Sequence, residues 1–310
     1  MKAAQIDSYG DASVMRINEI EKPTVTDSKV EVEVHAASLN PFDSSVRSGY
    51  MQENIPLQLP VTLGGDIAGV VVEVGEGVNN VVVGDRVYGQ ANVVAGNSGA
   101  FAEYAVTAAT QVAKLPKNLD YNQAASLPLV GVSALQAVKQ HIDLQPNQKI
   151  FIHGGAGGIG SLAIQIAKHI GAYVATTASG HDIDYVKQLG ADEVIDYKSQ
   201  DFSELLNGYD AAFDTTPGNE VNKILIILKQ GGIVVSMLAH ANEAEAAKFG
   251  VRAVTQSTKV TTGALDELTQ LVESDAVVPN IGKVFKLAEI KEAFVARESG
   301  VRGKVVLEIQ

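Results

Sequence analysis

Three glycines carry the plainest chemical potential in this chain: Gly155, Gly157 and Gly160, inside Lys149-Ile150-Phe151-Ile152-His153-Gly154-Gly155-Ala156-Gly157-Gly158-Ile159-Gly160. Their spacing satisfies G-x-G-x-x-G, the pattern of a tight strand-to-helix turn. A turn without side chains lets backbone approach a pyrophosphate, which the free N–H groups of the following helix then bind. Ala156, Gly158 and Ile159 belong to the same turn and are expected at the same contact. Glycine-rich turns also arise for geometric reasons alone, so the motif counts only with a strand before it and a helix after it. Both are written here. Ile150 to Ile152 is a short apolar run, as expected of a buried parallel strand. Behind the glycines, Ile159, Leu162, Ala163, Ile166, Ala167 and Ile170 recur at helical spacing, with Ser161, Gln165, Lys168 and His169 on the other face.

Composition bounds what those elements can belong to. The 310 residues are long for one core, and two domains are the natural expectation. Apolar residues make up 46% of the chain, too many for disorder. It has no cysteine, which excludes disulfides, thiolate metal sites and a cysteine nucleophile. A net charge of -12 argues against a nucleic-acid partner. The start, Met1-Lys2-Ala3-Ala4-Gln5-Ile6-Asp7, meets an acid before any apolar segment develops, which does not read as a signal peptide. The richest apolar region, Ile224 to Leu238, is broken by Lys229, Gln230 and two glycines, so no membrane span is expected. A cytoplasmic protein is the expectation.

The elements that position the glycine turn fall into two textures. The first third is β-rich. Lys29 to His35 alternates, with Val30, Val32 and Val34 on one face and Glu31, Glu33 and His35 on the other, predicting a half-solvated antiparallel strand. A loop follows through Asn40-Pro41-Phe42-Asp43, then valine- and glycine-rich strands over 64–75 and 81–89, suggesting a small barrel-like sheet. Residues 90–100 show no period and read as a mobile loop. From about Asn122, helices and strands alternate: a helix over Ser133–His141, strands at 149–153, 173–177, 193–195, 210–214 and 232–237, and helices near 182–189 and 219–229. That alternation predicts a doubly wound parallel sheet, an α/β Rossmann-type architecture. A helix over 287–297 and a lone strand over 304–309 return to the early style. The expected domains are residues 1–121 with 266–310, and residues 122–265.

Gly64-Gly65-Asp66-Ile67-Ala68-Gly69-Val70-Val71, Gly84-Asp85-Arg86-Val87 and the run from His153 to Gly160 together resemble the medium-chain dehydrogenase/reductase superfamily. Leu39-Asn40-Pro41-Phe42-Asp43, Leu189-Gly190-Ala191-Asp192-Glu193-Val194-Ile195-Asp196-Tyr197 and Gly303-Lys304-Val305-Val306-Leu307 extend the resemblance over nearly the whole chain, within the zinc-free quinone oxidoreductase (zeta-crystallin-like) branch. The resemblance implies a β-rich GroES-like first domain and a cofactor in the cleft between domains. It also implies NADPH-dependent reduction of quinones or other α,β-unsaturated carbonyls, and a homodimer or homotetramer.

Departures from zinc-dependent relatives sharpen the expectation. Those enzymes place a zinc-binding cysteine where this chain has Asn40, and a histidine and glutamate where it has Gly65 and Asp66. Glycine cannot ligate, and the six histidines (His35, His141, His153, His169, His181, His240) are scattered, so no metal is expected. Without a Lewis acid on the carbonyl oxygen, an electron-poor acceptor such as a quinone or enone is the easier hydride acceptor. The resemblance puts Asn40 near the nicotinamide and substrate, with a loop-capping asparagine as the alternative. It puts Ser133 near the nicotinamide too, where a plain helix N-cap is the alternative. Tyr50 is a candidate for the substrate pocket, and Lys304 for the cofactor.

Cofactor choice rests on the second strand, Tyr173-Val174-Ala175-Thr176-Thr177, and its end, Ala178-Ser179-Gly180-His181. No carboxylate appears before Asp182, which is expected inside the following helix, so the acid that usually binds a ribose 2′-OH is missing. Ser179 and His181 can donate to a 2′-phosphate, and Tyr197 matches a family position near it, favouring NADPH. No Arg or Lys follows until Lys187, and a neutral pocket accepting either cofactor is the alternative. A short-chain dehydrogenase is excluded, since none of the nine tyrosines has a lysine four positions later. A cofactor-binding structural or regulatory protein of crystallin-like kind, with little turnover, is the reading from another class.

Overall fold

The computed structural model describes every residue except 54, 219 and 238–242, so the expected start of a helix at Asn219, the end of the apolar region at Leu238, and His240 lie outside the described residues. The chain divides into two compact units. One comprises Met1–Leu129, Val260–Glu273 and Pro279–Gln310; the other comprises Val130–Lys259 and Ser274–Val278. The first unit therefore runs past the expected 121 and takes in the helix Thr262–Glu273, which the sequence reading did not assign.

The first unit is built on a seven-stranded sheet whose middle strand, Lys29–Ser38, pairs antiparallel with Asp66–Val74, Tyr104–Ala108 and the late strand Lys304–Glu308. Val30, Val32 and Val34 are all fully buried, as alternation predicts. Glu31, expected in solvent, is buried and lies 3.7 Å from Lys22 Nζ. A smaller sheet joins Met15–Glu19, Lys2–Ile6 and Val61–Thr62. The apolar faces enclose a core that includes Ile6, Met15, Leu63, Phe101 and Phe294.

Two expectations fail in this unit, each for its own reason. Residues 41–47 form a helix rather than a loop, because Pro41 sits at its first turn and Asp43 Oδ2 accepts from the Asn40 N–H at 2.7 Å. Residues 90–100 are tied into the sheet and not a loose loop: Ala91 N–H reaches Gly65 O at 2.7 Å, and Asn97 donates to Gln111 and accepts from Ala108 N–H. Hydrogen bonds between residues far apart in sequence leave no period to read.

The second unit is a six-stranded, wholly parallel sheet: β1 (Lys149–His153), β2 (Tyr173–Ala178), β3 (Glu193–Asp196), β4 (Tyr209–Asp214), β5 (Leu228–Ser236) and β6 (Arg252–Thr255). The spatial order is β3-β2-β1-β4-β5-β6, that of a dinucleotide-binding sheet. Ile150, Phe151 and Ile152 are fully buried, since helices cover both faces of such a sheet. The helix α1 (Gly158–Ile170) follows β1 and ends at Gly171, whose φ of +92° suits glycine. Ser161 and Ile164 are also buried, so α1 hides more of its circumference than its amphipathic pattern indicated. β5 begins at Leu228, earlier than the expected 232. Among the described residues, no helix is long and apolar enough to cross a membrane.

Candidate active site

At the C-terminal edge of the parallel sheet, where β1 gives way to α1, the second unit holds a cavity of about 500 Å³. Its floor is the glycine turn, and the three motif glycines divide the work. Gly155 and Gly160 face protein. A Cβ on Gly155 would stand 2.1 Å from Thr176 Oγ1, and one on Gly160 would stand 2.2 Å from Gly154 O. Gly157 is the helix N-cap and lines the cavity; its Cβ would meet only Gly154 O, at 3.2 Å. The first-turn amides of α1 have no acceptor within the helix, and its macrodipole makes that end attractive to an anion. Ala156 lines the cavity beside Gly157. Gly154, absent from the expected set, turns the chain out of β1 at φ +87° and also lines the cavity.

Other wall residues come from the ends of neighbouring strands. His153, at the end of β1, is buried: Nδ1 lies 2.7 Å from Thr177 Oγ1 and Nε2 lies 2.9 Å from Glu220 Oε2. Thr177 Oγ1 already accepts from Gly154 N–H at 2.9 Å. After β4, the fully buried Asp214 accepts from the amide and hydroxyl of Thr216 and orders the loop Thr215-Thr216-Pro217-Gly218 against the cavity. Ligands of such sheets sit at the carboxyl ends of the strands, a rule that points to the loop after β4 as readily as to the glycine turn.

The end of β2 corrects the sequence reading. Ser179 lines the cavity, but Asp182 does too: it ends a short 3-10 turn, Gly180–Asp182, ahead of the helix Ile183–Gln188. Ser179 Oγ donates to Asp182 Oδ2 at 3.2 Å. His181 is mostly in solvent, with Nε2 3.5 Å from the same carboxylate. Tyr197 lines the cavity from beyond β3.

Ser133 is not an N-cap. The helix around it begins at Pro128 and continues as a π-helix over Gln136–His141, leaving Ser133 mid-helix, fully buried and 2.8 Å from Thr258 Oγ1. Pro128, which has no N–H to lose in a first turn, was the missed signal.

Asn40 and Lys304 come together in the first unit, in a buried polar cluster. Asn40 is 2% exposed, and its Nδ2 donates to Asp66 Oδ2 at 2.8 Å. Lys304 Nζ donates to Asn40 Oδ1 at 2.5 Å and to Leu39 O at 2.9 Å, and lies 3.8 Å from Asp66 Oδ2. Asp66, 0% exposed, also accepts from Leu129 N–H at 3.2 Å. Burial pushes the Asp66 carboxyl up from its usual range and the Lys304 amine down from its own, while each pulls the other back. Burial, reinforced by the Asp66 charge, raises the Asp43 carboxyl to about 7. Tyr50, by contrast, is 87% exposed on the turn after the helix 41–47.

A zinc ion does not fit the positions where zinc-dependent relatives hold one. Gly65 offers no side-chain donor, Asn40 Oδ1 and Asp66 Oδ2 already face the Lys304 ammonium, and Asp66 Oδ1 accepts from Leu129 N–H. Among the described residues, no group of three or more His, Asp or Glu side chains is arranged to hold a metal.

Residues 26–117 match the profile of the alcohol dehydrogenase GroES-like domain, and residues 189–307 that of the zinc-binding dehydrogenases. The chain is 34% identical to the 2-methylene-furan-3-one reductase of Solanum lycopersicum, over 99% of this chain and 79% of that one. It is 33% identical, over the same shares, to the chloroplastic NADPH-dependent alkenal/one oxidoreductase of Arabidopsis thaliana. Among solved structures, the quinone oxidoreductase from Coxiella burnetii superposes with a TM-score of 0.90 at 34% identity, covering 100% of this chain and 99% of that one. With a GroES-like stretch, a β3-β2-β1-β4-β5-β6 sheet and relatives matched over 99–100% of this chain, the chain belongs to the medium-chain dehydrogenase/reductase superfamily, in its quinone oxidoreductase branch.

Proposed function

We propose that this chain, an oxidoreductase, reduces quinones or other α,β-unsaturated carbonyl compounds with hydride from NADPH and without a metal. The observation that carries the reading is the Lys304 ammonium inside the Asn40–Asp66 donor set: the position that would polarise a saturated ketone through zinc is filled by a side chain. A substrate already electron-poor at the β-carbon of an enone, or at a quinone ring, does not need that Lewis acid. The glycine-floored cavity suits a nicotinamide dinucleotide. Gly157 and the first turn of α1 would hold the pyrophosphate, and Ser179 and Tyr197 the adenosine ribose. When bound, the nicotinamide supplies the hydride; the chain's own residues hold and orient it. The NADPH named for the Arabidopsis relative and the enone substrates named for both plant relatives support the reading. The names of the two plant relatives are those of enzymes and lend nothing to the crystallin-like alternative. Roles for Asn40, Ser133 and Lys304 at the nicotinamide end, and for Tyr50 toward substrate, are part of the proposal.

Oxidation of NADPH against a panel of quinones and enones tests it, in parallel samples with and without exhaustive chelation. Turnover with at least one acceptor class, unchanged by chelation, is the expected result. Tight NADPH binding with no turnover on any acceptor refutes the enzymatic reading, and activity lost with about one zinc per chain refutes metal independence.

A second copy of the chain completes the proposal. β6 is the last strand of its sheet, with one edge unpaired by any described strand, and such an edge is a template for pairing. Light scattering is expected to read a dimer or tetramer; a monomer at micromolar concentration removes this part.

A further inference from the structure

We propose that Asp182 is the residue that sets coenzyme choice and that it opens this chain to NADH. The inference rests on the cavity being the coenzyme site, as proposed above.

The 3-10 turn Gly180–Asp182 folds the chain back on the end of β2, where the Asp182 N–H donates to Ser179 O at 2.7 Å. That return delivers the carboxylate to the cavity wall beside Ser179. Ser179 Oγ, the group that would donate to a 2′-phosphate, is spent on Asp182 Oδ2 at 3.2 Å. Asp182 follows Gly160 by about 20 residues, the interval at which an acid meets the adenosine ribose in sheets of this order. A carboxylate there accepts from a ribose 2′-hydroxyl and repels a 2′-phosphate.

Opposite charge is scarce on the described cavity wall. No lysine or arginine lines it, and its second carboxylate is Glu220, itself turned toward His153. His181, whose side chain is 78% exposed, has Nε2 3.5 Å from Asp182 Oδ2 and does not line the cavity. Neighbouring charge of one sign separates mono- from diphosphorylated ribose by about ten- to hundredfold when no cation intervenes. A pocket that otherwise follows an NADPH-using branch is thereby levelled toward both coenzymes.

The test is a direct titration of the full chain with NADH and with NADPH, followed by coenzyme fluorescence and by the shift in melting temperature, in the parent, Asp182→Asn and Asp182→Ser. The parent is expected to bind the two coenzymes within tenfold of each other. Each variant is expected to raise the NADPH-over-NADH affinity ratio at least threefold, strengthening NADPH while weakening NADH. Asp182→Ser carries the test if Asp182→Asn does not fold. A parent that prefers NADPH by more than tenfold, or variants whose ratio moves less than threefold, overturns the inference and leaves the coenzyme site standing. Failure of the parent to bind either coenzyme overturns both.

Discussion

Gly157→Val folds and melts near the parent, yet its dissociation constant for the nicotinamide coenzyme rises by at least two orders of magnitude. A Cβ at 157 meets only Gly154 O, at 3.2 Å, so the protein around it has little to rearrange. The added methyl groups enter the cavity that Gly157 lines, in front of the α1 amides. Losing two charge-assisted hydrogen bonds, at about 1.5–3 kcal/mol each, weakens binding roughly 10²- to 10⁴-fold. Gly160→Ala is the contrasting control. Its Cβ would stand 2.2 Å from Gly154 O and 2.9 Å from Gly155 Cα, backbone that cannot swing aside, and overpacking of this kind costs about 1–3 kcal/mol of stability. Isothermal titration and thermal melts on both variants separate the roles. If Gly157→Val binds coenzyme like the parent, the pyrophosphate lies elsewhere.

Lys304→Met lowers the stability of the protein by about 3–5 kcal/mol at pH 8, the usual effect of stripping one partner from a buried ion pair. The lysine is the cation of a cluster in which Asp66 and Asp43 are both buried. The direction with pH follows from Asp43. Its carboxyl titrates near 3.8 when unfolded and at about 7 when folded, so the native state keeps a proton that the unfolded state releases. Stability from this group is therefore present at low pH and lost as pH rises from about 4 to 7. Removing the ammonium raises the proton affinity of both acids further. The deficit of Lys304→Met should thus shrink on acidification from pH 8 to 5.5, and adding Asp66→Asn should recover part of it. Urea denaturation across that pH range measures all three effects. A loss under 1 kcal/mol, or one that grows as pH falls, rules out this account of the cluster.

The sheet of the second unit was legible because its signals are local. Ile150–Ile152, the glycines and the apolar stripe of α1 lie within one continuous stretch. Position along a local element was less so. Nothing in Gly180-His181-Asp182 announces a 3-10 turn, so Asp182 reads as helical, and a helix start at Ser133 overlooks Pro128, which marks one earlier. The loop after β4 was within reach, since every parallel strand presents its carboxyl end to a ligand. The polar cluster was not. Asn40 and Lys304 are 264 positions apart, and hydrophobic periodicity carries no information about which distant polar groups will meet. For Asn40 the consequence is chemical: both ends of its amide have protein partners, so its orientation is set by Asp66 and Lys304.

The same separation has a consequence in time. Synthesis at about 5–20 residues per second puts roughly 10–50 s between the emergence of Asp66 and that of Lys304 from the ribosome. In that interval the whole of β1 to β6 is made, and a nearly contiguous unit has its full sequence before its neighbour does. Throughout, the nascent GroES-like unit carries carboxylates destined for burial with no counter-charge to bury beside them. Its interior closes only when the strand Lys304–Glu308 arrives to pair with Lys29–Ser38, making the unit begun first the last to be finished.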